Sequence, residues 1–260
     1  MKRQLIVIKL GGGLITDKSK PLTARADVIQ FVANEIAKAY KAVAADFLLG
    51  TGAGSYGHFT AHQYGLREGA HNQEQLQGMC VTHNNVRILN GMFVEALFGR
   101  NVPGFTVSPS SMMTSAAGEP EHVNVEPLRI LLGNRCVPVL HGDTVCDSKQ
   151  GTSIFSTEKV LNECVKQLRQ EYEEIVVVYA MQEEGVLDVS GRVIPELSRD
   201  DRVALRDSAA HDVTGGIQGK VLSARKALEV ADRVHIVSGN KRGAILKVIK
   251  GEKIGTRVVQ

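Results

Sequence analysis

Short apolar runs alternate with segments of helical periodicity along this chain, and this alternation limits the possible folds more than any other feature. The runs are rich in β-branched residues, and we predict them to be strands at 4–10, 46–49, 104–108, 137–142, 174–180, 233–239 and 255–259. Apolar residues at helical spacing predict helices over about 26–43, 73–99, 126–134, 157–170, 219–231 and 242–251. Strands that alternate with helices predict an α/β fold, a three-layer αβα sandwich with a mostly parallel central sheet.

The size and composition of the chain are those of a globular protein, with 260 residues of which 43% are hydrophobic and 23% are charged. We find no internal repeat, low-complexity tract or linker, and therefore expect one domain over residues 1–260 with two lobes, about 1–150 and 151–260. The formal net charge of +3 suits small anionic ligands but is too weak to indicate a nucleic acid partner.

The cysteines and the apolar segments predict a cytoplasmic protein. The four cysteines are scattered and form no C-x-x-C pair, which argues against a zinc site and favours thiols in a reducing compartment. The apolar run near the N-terminus is too short for a signal peptide, and no stretch approaches the roughly 20 apolar residues of a membrane span.

Three glycine-bearing turns directly follow predicted strands. They are Gly11-Gly12-Gly13, the stretch from Gly52 to Gly57, and His141-Gly142-Asp143. In an open parallel sheet the turns at the carboxyl ends of the strands meet where ligands bind, and their backbone N–H groups form anion sites. We therefore expect these turns to hold phosphate.

The second turn also matches the dinucleotide-binding pattern G-x-G-x-x-G, starting at Gly52. That pattern normally follows the first strand of its unit, with an acidic residue at the end of the next strand about 20 residues on. Here it follows the second strand, and the region at that spacing, HNQEQLQGM, is helical and polar. The context therefore argues against a dehydrogenase, and no Walker A motif is present either.

Three lysines adjoin the glycine-rich segments. Lys9 ends the first apolar run, Lys18 lies in the loop after the first turn, and Lys220 follows the TGG of HDVTGG (211–216). A single lysine is usually a solvated surface charge. Three lysines beside glycine turns at one sheet edge would suit the neutralisation of a polyphosphate.

Two further polar residues allow more than one interpretation. His58 either donates a hydrogen bond to a phosphate oxygen or is satisfied by the backbone of its own loop. Asp143 either caps the next segment or holds Lys9 or Lys18 by charge pairing.

The order of these motifs resembles the amino acid kinase superfamily and, within it, the isopentenyl phosphate kinases. The resemblance covers essentially the whole chain and is carried by IKLGGGLITDK (8–18), GAGSYGHF (52–59), VPVLHGD (137–143), HDVTGG (211–216) and GTRV (255–258). The I-T-D-K ending and the histidine that closes the second glycine turn are its more specific parts. The histidine is shared with the related fosfomycin-phosphorylating kinases, so by itself it leaves the acceptor open.

The resemblance implies a kinase that transfers a phosphoryl group from ATP, with Mg²⁺, to isopentenyl phosphate, commonly as a homodimer. The catalytic residues that it implies are Lys18, Lys9 and His58. The nucleotide side would comprise Lys9, Gly11, Gly12, Gly13, Gly54, Gln182, Gly185, Gly216 and Lys220. The acceptor side would comprise Ala53, Gly54, His58 and Thr157. No resident metal ligands are assigned, and the acceptor and nucleotide would occupy the N-terminal and C-terminal lobes respectively.

Two segments depart from the family pattern. The family's T-D-V-D-G becomes Met181-Gln182-Glu183-Glu184-Gly185, which replaces a nucleotide-contacting aspartate by Gln182. The family's S-G-D-D becomes Ser156-Thr157-Glu158-Lys159, which removes a glycine near the acceptor. Two alternatives therefore stay open: a kinase of the same fold for another small acid such as a phosphonate antibiotic, and a nucleotide-binding protein without turnover.

Overall fold

A computed structural model describes residues 3–198 and 216–260 of the chain. Its main feature is an eight-stranded sheet in the order β10-β12-β11-β9-β1-β2-β6-β3. All neighbouring strands in this sheet are parallel except β11 and β12. Numbered in chain order, its strands are β1 (Gln4–Leu10), β2 (Asp46–Thr51), β3 (Gly104–Thr106), β6 (Val137–His141), β9 (Glu174–Met181), β10 (Glu196–Ser198), β11 (Arg233–Ser238) and β12 (Thr256–Val259).

Helices cover both faces of this sheet. They are α1 (Gly12–Ile15), α2 (Ala26–Ala42), α3 (Gly54–Gln63), α4 (Gln73–Phe98), α5 (Glu126–Gly133), α6 (Thr157–Leu168), α7 (Gly216–Ala227) and α8 (Ala244–Ile249). Side chains of a strand alternate between faces, so Leu5 and Val7 of β1 pack with α5, α6 and α7, whereas Ile6 and Ile8 pack with α2, α4 and α8. Each fully buried aliphatic side chain contributes about 1.5–3 kcal/mol to folding. The three-layer αβα prediction is confirmed.

A second, four-stranded sheet was not predicted. Its strands, in the order β5-β4-β7-β8, are β4 (Met113–Ala116), β5 (Glu119–Val123), β7 (Asp143–Asp147) and β8 (Gly151–Phe155). Its strands pair antiparallel within each hairpin, β4 with β5 and β7 with β8. Strand β5 has the sequence EPEHV, with polar residues and a proline instead of an apolar run. Such short hairpin strands carry too few apolar residues for periodicity to detect.

Side-chain caps explain where two of the predicted helices begin. The side chain of Asn72 accepts a hydrogen bond from the Gln75 amide, and Ser156 accepts one from the Lys159 amide, so α4 and α6 begin directly after these residues. The predicted helix at about 219–231 is present as α7, which is described over Gly216–Ala227 and ends before residue 231. None of the helices in the described ranges is long and apolar enough to cross a membrane.

Candidate active site

The first two glycine turns are in backbone contact at the carboxyl edge of the central sheet. A Cβ atom on Gly12 would lie 2.5 Å from the Gly54 amide nitrogen, and a Cβ atom on Gly52 would lie 2.5 Å from the Gly12 amide nitrogen. No side chain fits between the turns, so glycine is required for this approach. The Gly52 amide also donates to the Leu10 carbonyl at 2.8 Å. The two turns predicted to bind phosphate thus form one continuous backbone surface.

The Thr16 side chain connects the same two turns by hydrogen bonds. Its buried hydroxyl donates to the Gly12 carbonyl at 2.7 Å and accepts a hydrogen bond from the Ser55 amide at 3.0 Å. Gly54 has a φ of +49°, and a Cβ atom there would collide with the Thr16 side chain. Backbone conformation and space therefore both require glycine at position 54.

Lys9 carries a buried charge beside these turns. The residue is 6% exposed, and its Nζ lies 2.6 Å from Oε1 of Glu158. Glu158 stands in the first turn of α6, where the positive end of the helix favours a carboxylate. Lys9 therefore has a counter-ion from the distant helix that packs over the glycine turns.

Lys18 lies over the first glycine turn. A Cβ atom on Gly13 would lie 3.1 Å from Cε and 3.8 Å from Nζ of Lys18. The loop that carries Lys18 is held to α3, because the Leu22 amide donates to the Ser55 carbonyl at 3.3 Å. The structure thus brings Lys9 and Lys18 to the same pair of turns.

Three of the four residues predicted for the acceptor side lie together at the start of α3. Ala53 is the N-cap residue, Gly54 opens the helix, and His58 stands in its second turn, half-buried. A Cβ atom on Gly57 would lie 2.7 Å from Cβ of Ala53 and 3.1 Å from Cγ1 of Val86. Glycine at 57 therefore allows α3 to pack closely on α4 beside His58.

Thr157 brings the N-terminus of α6 to the third glycine turn. Its buried hydroxyl donates to the Thr51 carbonyl at 2.9 Å, directly before Gly52. A Cβ atom on Gly142 would lie 3.2 Å from the Thr157 hydroxyl oxygen. Because this hydroxyl is bound within the protein, the backbone N–H at the helix start is the group that Thr157 can offer to a ligand.

Asp143 is engaged by groups other than the lysines. Its Oδ1 lies 2.8 Å from Nδ1 of His83 and accepts the Thr144 amide at 2.9 Å, and its Oδ2 accepts the Ser110 amide at 3.1 Å. The interpretation in which Asp143 pairs with Lys9 or Lys18 is therefore wrong. The carboxylate instead holds the imidazole of His83 on α4.

His141 is fully buried beside this pair. Its Nδ1 donates to the Gly142 carbonyl at 3.0 Å, and its Nε2 has no hydrogen-bond partner in the described part of the chain. Burial lowers the pKa of His141, and the nearby Asp143 carboxylate opposes that shift only in part. His141 is therefore a neutral imidazole beside the His83–Asp143 pair.

The predicted nucleotide side lies at the carboxyl ends of β1, β9 and β11. The Gly11 amide donates to the Ala180 carbonyl at 2.8 Å. Gln182 follows β9 with an exposed side chain, and its carbonyl accepts the Ser238 hydroxyl at 3.2 Å. Gly185 is buried, and a Cβ atom there would lie 2.8 Å from the Thr256 hydroxyl oxygen. These residues share the sheet edge with the glycine turns.

Two predicted nucleotide residues belong to α7. Gly216 and Lys220 both fall within its described range, Gly216–Ala227. Residues 211–215 of HDVTGG lie outside the described residues, and so does the ammonium group of Lys220. Whether Lys220 joins Lys9 and Lys18 stays a prediction.

Within residues 3–198 and 216–260, no group of three or more His, Cys, Asp or Glu side chains could hold a metal ion. Mg²⁺ commonly binds through substrate phosphates with only one or two carboxylates.

Comparison with known proteins decides the family. The model of the amino acid kinase family matches residues 4–238. The chain belongs to the amino acid kinase family. Isopentenyl phosphate kinase of Haloferax volcanii is 30% identical over 254 residues, which cover 97% of both chains. That of Methanothermobacter thermautotrophicus is 29% identical over 270 residues, which cover 98% of both. A crystal structure of isopentenyl phosphate kinase superposes with a TM-score of 0.78 at 26% identity, covering 97% of this chain and 99% of that one.

Membership of the amino acid kinase family makes this protein a phosphotransferase and confirms the predicted resemblance. Two polar residues at the candidate site, Glu158 and His83, were not predicted from the sequence. Glu158 was noted only as a departure from the family pattern, although a carboxylate just after a helix-capping serine was a signal for a charge at the helix start. His83 gave no signal, because one polar residue in a long helix has no distinctive pattern.

Proposed function

We propose that this protein transfers the γ-phosphoryl group of ATP to isopentenyl phosphate, producing isopentenyl diphosphate and ADP. The backbone contact between the turns at Gly12 and Gly54 carries the proposal, because it brings the predicted nucleotide side against the predicted acceptor side. The full-length relatives support the same acceptor by their names. In this proposal residues 1–150 hold most of the acceptor and, through Lys9 and Gly11 to Gly13, nucleotide phosphates, whereas residues 151–260 hold the rest of the nucleotide.

In the proposed reaction an oxygen of the acceptor phosphate bonds to the γ-phosphorus while the bond from that phosphorus to the β–γ bridging oxygen breaks, releasing ADP. The acceptor monoester has a second pKa near 6 and is already mostly dianionic at neutral pH, so no strong general base is needed. The main barrier is repulsion between the two anions, which positioned charges and N–H groups reduce.

The predicted residues around the glycine turns and α7 have distinct roles in this proposal. Lys9, oriented by Glu158, and the amides of Gly11 to Gly13 hold nucleotide phosphates, and Lys18 stabilises the group in transfer. His58, with the backbone at Ala53 and Gly54, holds the acceptor phosphate. Gly216 and Lys220 complete the nucleotide side. Mg²⁺ carried by the nucleotide supplies additional charge neutralisation when bound.

The experiment that tests this proposal measures ADP release from ATP with isopentenyl phosphate, with a small phosphonate, and without acceptor. Release that depends on isopentenyl phosphate supports the proposal. Release with the phosphonate alone indicates a same-fold kinase for another small acid. ATP binding without release for any acceptor indicates a nucleotide-binding protein, which the exposed Gln182 in place of the family aspartate favours as the second candidate.

We also propose a cytoplasmic homodimer. The outer face of α4 exposes an apolar stripe of Ile88, Met92 and Phe98, with 45%, 40% and 57% of their surfaces accessible. A second copy of the chain would cover these side chains. The four cysteines are free thiols, which agrees with a reducing compartment.

A further inference from the structure

Ser55 is a buried residue of the second glycine turn that is hydrogen-bonded to the loop carrying Lys18. The residue is 1% exposed, and its hydroxyl accepts a hydrogen bond from the Thr23 amide at 3.2 Å and donates to the Thr23 carbonyl at 3.4 Å. Its carbonyl accepts a hydrogen bond from the Leu22 amide at 3.3 Å. Because a hydroxyl can donate and accept at once, one small side chain here pairs both backbone groups of Thr23.

Thr23 closes the short loop on which Lys18 lies. The Asp17 amide donates to the Thr23 carbonyl at 2.9 Å, and Lys18 directly follows Asp17. The Asp17 side chain accepts hydrogen bonds from the amide and the hydroxyl of Ser19 at 2.9 and 2.7 Å, which fixes the turn on the other side of Lys18. The position of Lys18 relative to α3 therefore depends on the hydrogen bonds between Ser55 and Thr23.

Leu22 indicates that this loop is held against a conformational preference. Its φ is +49°, in the left-handed region that residues other than glycine rarely adopt, and 49% of its surface is exposed. A residue in such a conformation persists where the surrounding structure fixes its backbone, and the Leu22 amide is one of the groups that Ser55 binds. The loop is therefore expected to change conformation when its bonds to Ser55 are lost.

Ser55 also joins this loop to the two predicted phosphate-binding turns. Its amide donates to the buried Thr16 hydroxyl at 3.0 Å, and that hydroxyl donates to the Gly12 carbonyl at 2.7 Å. Ser55 directly follows Gly54, whose backbone is in contact with that of Gly12. One residue thus links the nucleotide turn, the acceptor turn and the loop of Lys18.

We propose that Ser55 is a positioning residue that sets Lys18 over the two turns for phosphoryl transfer. The proposal rests on the proposed function, in which Lys18 stabilises the group in transfer. Such transfers depend on positioned charges, and a misplacement of about 1 Å can lower the rate by about a hundredfold. Both bonds of the Ser55 hydroxyl go to Thr23, so the hydroxyl acts through the loop and not on the reactants.

Removal of the hydroxyl tests the proposal in the full-length protein. We expect Ser55→Ala to lower kcat by about tenfold or more and to change both KM values by less than about twofold, because the backbone groups of both turns stay in place. Thr60→Ala is the matched control, since the Thr60 hydroxyl donates to the Gly57 carbonyl within α3 itself, and should keep wild-type kinetics. A wild-type kcat in Ser55→Ala would overturn the proposal.

A double-mutant cycle separates the positioning of Lys18 from a general structural role. If Ser55 acts through Lys18, Ser55→Ala should lower kcat no further in a Lys18→Ala background. A loss by the same factor in both backgrounds would show that Ser55 acts elsewhere and would contradict the proposal. Thermal midpoints of the single and double variants show whether each is folded at the assay temperature.

Hydrogen exchange needs no turnover and keeps this inference apart from the proposed function. The Leu22 and Thr23 amides should exchange slowly in the wild type. Ser55→Ala should speed exchange over residues 17–24 by about tenfold, whereas Thr60→Ala should leave it unchanged. If the wild type turns over no acceptor, the proposed function fails, and this comparison decides whether Ser55 positions the Lys18 loop.

Two exchange results would overturn the inference. One is equal exchange over residues 17–24 in the wild type and in Ser55→Ala. The other is fast exchange of the Leu22 and Thr23 amides in the wild type, which decides the question even if Ser55→Ala does not fold.

Discussion

Lys9 is an ammonium group whose burial is tolerated only because Glu158 lies 2.6 Å away. Removing one member of a buried pair leaves the other charged and without its partner. We predict that Glu158→Gln lowers the free energy of unfolding by about 3 kcal/mol, measured by chemical denaturation. Glu119→Gln is the control, because it breaks an exposed pair with Lys159 and should change stability by less than about 1 kcal/mol. Equal effects of the two substitutions would show that the buried pair does not matter.

Lys9 is assigned to the nucleotide phosphates, whereas Lys18 is assigned to the phosphoryl group that is transferred. We predict that Lys18→Ala lowers kcat by a loss of about 3 kcal/mol in transition-state stabilisation and leaves KM nearly unchanged. Steady-state kinetics with saturating ATP measures this. Lys20→Ala, at an exposed lysine of the same loop, should retain activity. A rise in KM at constant kcat would make Lys18 a binding group instead.

His235 on β11 gives stability a pH dependence unrelated to catalysis. Both its ring nitrogens lack hydrogen-bond partners among the described residues. Burial, and then the charges of Arg233 and Arg257, lower its pKa from 6.5 to about 4. The unfolded chain therefore binds this proton at higher pH than the folded one. As pH falls from about 6.5 to about 4, the free energy of unfolding should fall by about 3 kcal/mol through this residue.

The comparison of wild type with His235→Leu measures this contribution. The variant should show a shallower loss of stability between neutral pH and about pH 4, because its side chain binds no proton. His62→Leu, which removes an exposed histidine, should keep the wild-type slope. Parallel pH profiles for wild type and His235→Leu would contradict the prediction.

At the scale of elements, the contact between the two glycine turns leaves no room for a side chain. A side chain at residue 12 would force the turns apart, since its Cβ would lie 2.5 Å from the backbone of Gly54. We predict that Gly12→Ala lowers kcat/KM by about a hundredfold through misplacement of the reacting groups. Gly133→Ala is the matched control: nothing lies within 4 Å of its Cβ at the end of α5, so activity should persist and stability should rise by up to about 1 kcal/mol.

The elements also differ in how well sequence predicted them. β1, β9 and β11 were predicted because both faces of each strand are buried, which produces continuous apolar runs. The four-stranded sheet was missed, because its short hairpin strands carry few apolar residues and the two hairpins are joined through the pairing of β4 with β7. The glycine turns were predicted as sites, but their mutual contact depends on the order of β1, β2 and β9 in the sheet.

At the scale of the whole molecule, the apolar stripe on α4 tests the proposed dimer. We predict that the double substitution Ile88→Glu and Met92→Glu produces a monomer, measured by light scattering on a sizing column, because charges placed in an apolar interface are costly to bury. Leu76→Glu, at a residue of α4 that is 41% exposed and lies about three turns before Ile88, is the control and should remain a dimer. A monomeric wild type would contradict the proposal directly.

The sequence by itself determined the layered α/β architecture, the three glycine turns and the positions of Lys9, Lys18 and His58. These depend on local properties, namely the burial period of strands and helices and the conformational range of glycine. Tertiary structure alone decided that Glu158 is the partner of Lys9 and that Asp143 holds His83. Those pairs join residues far apart in the chain. The residues next to a charge do not indicate its counter-ion, because the partner depends on how the elements pack.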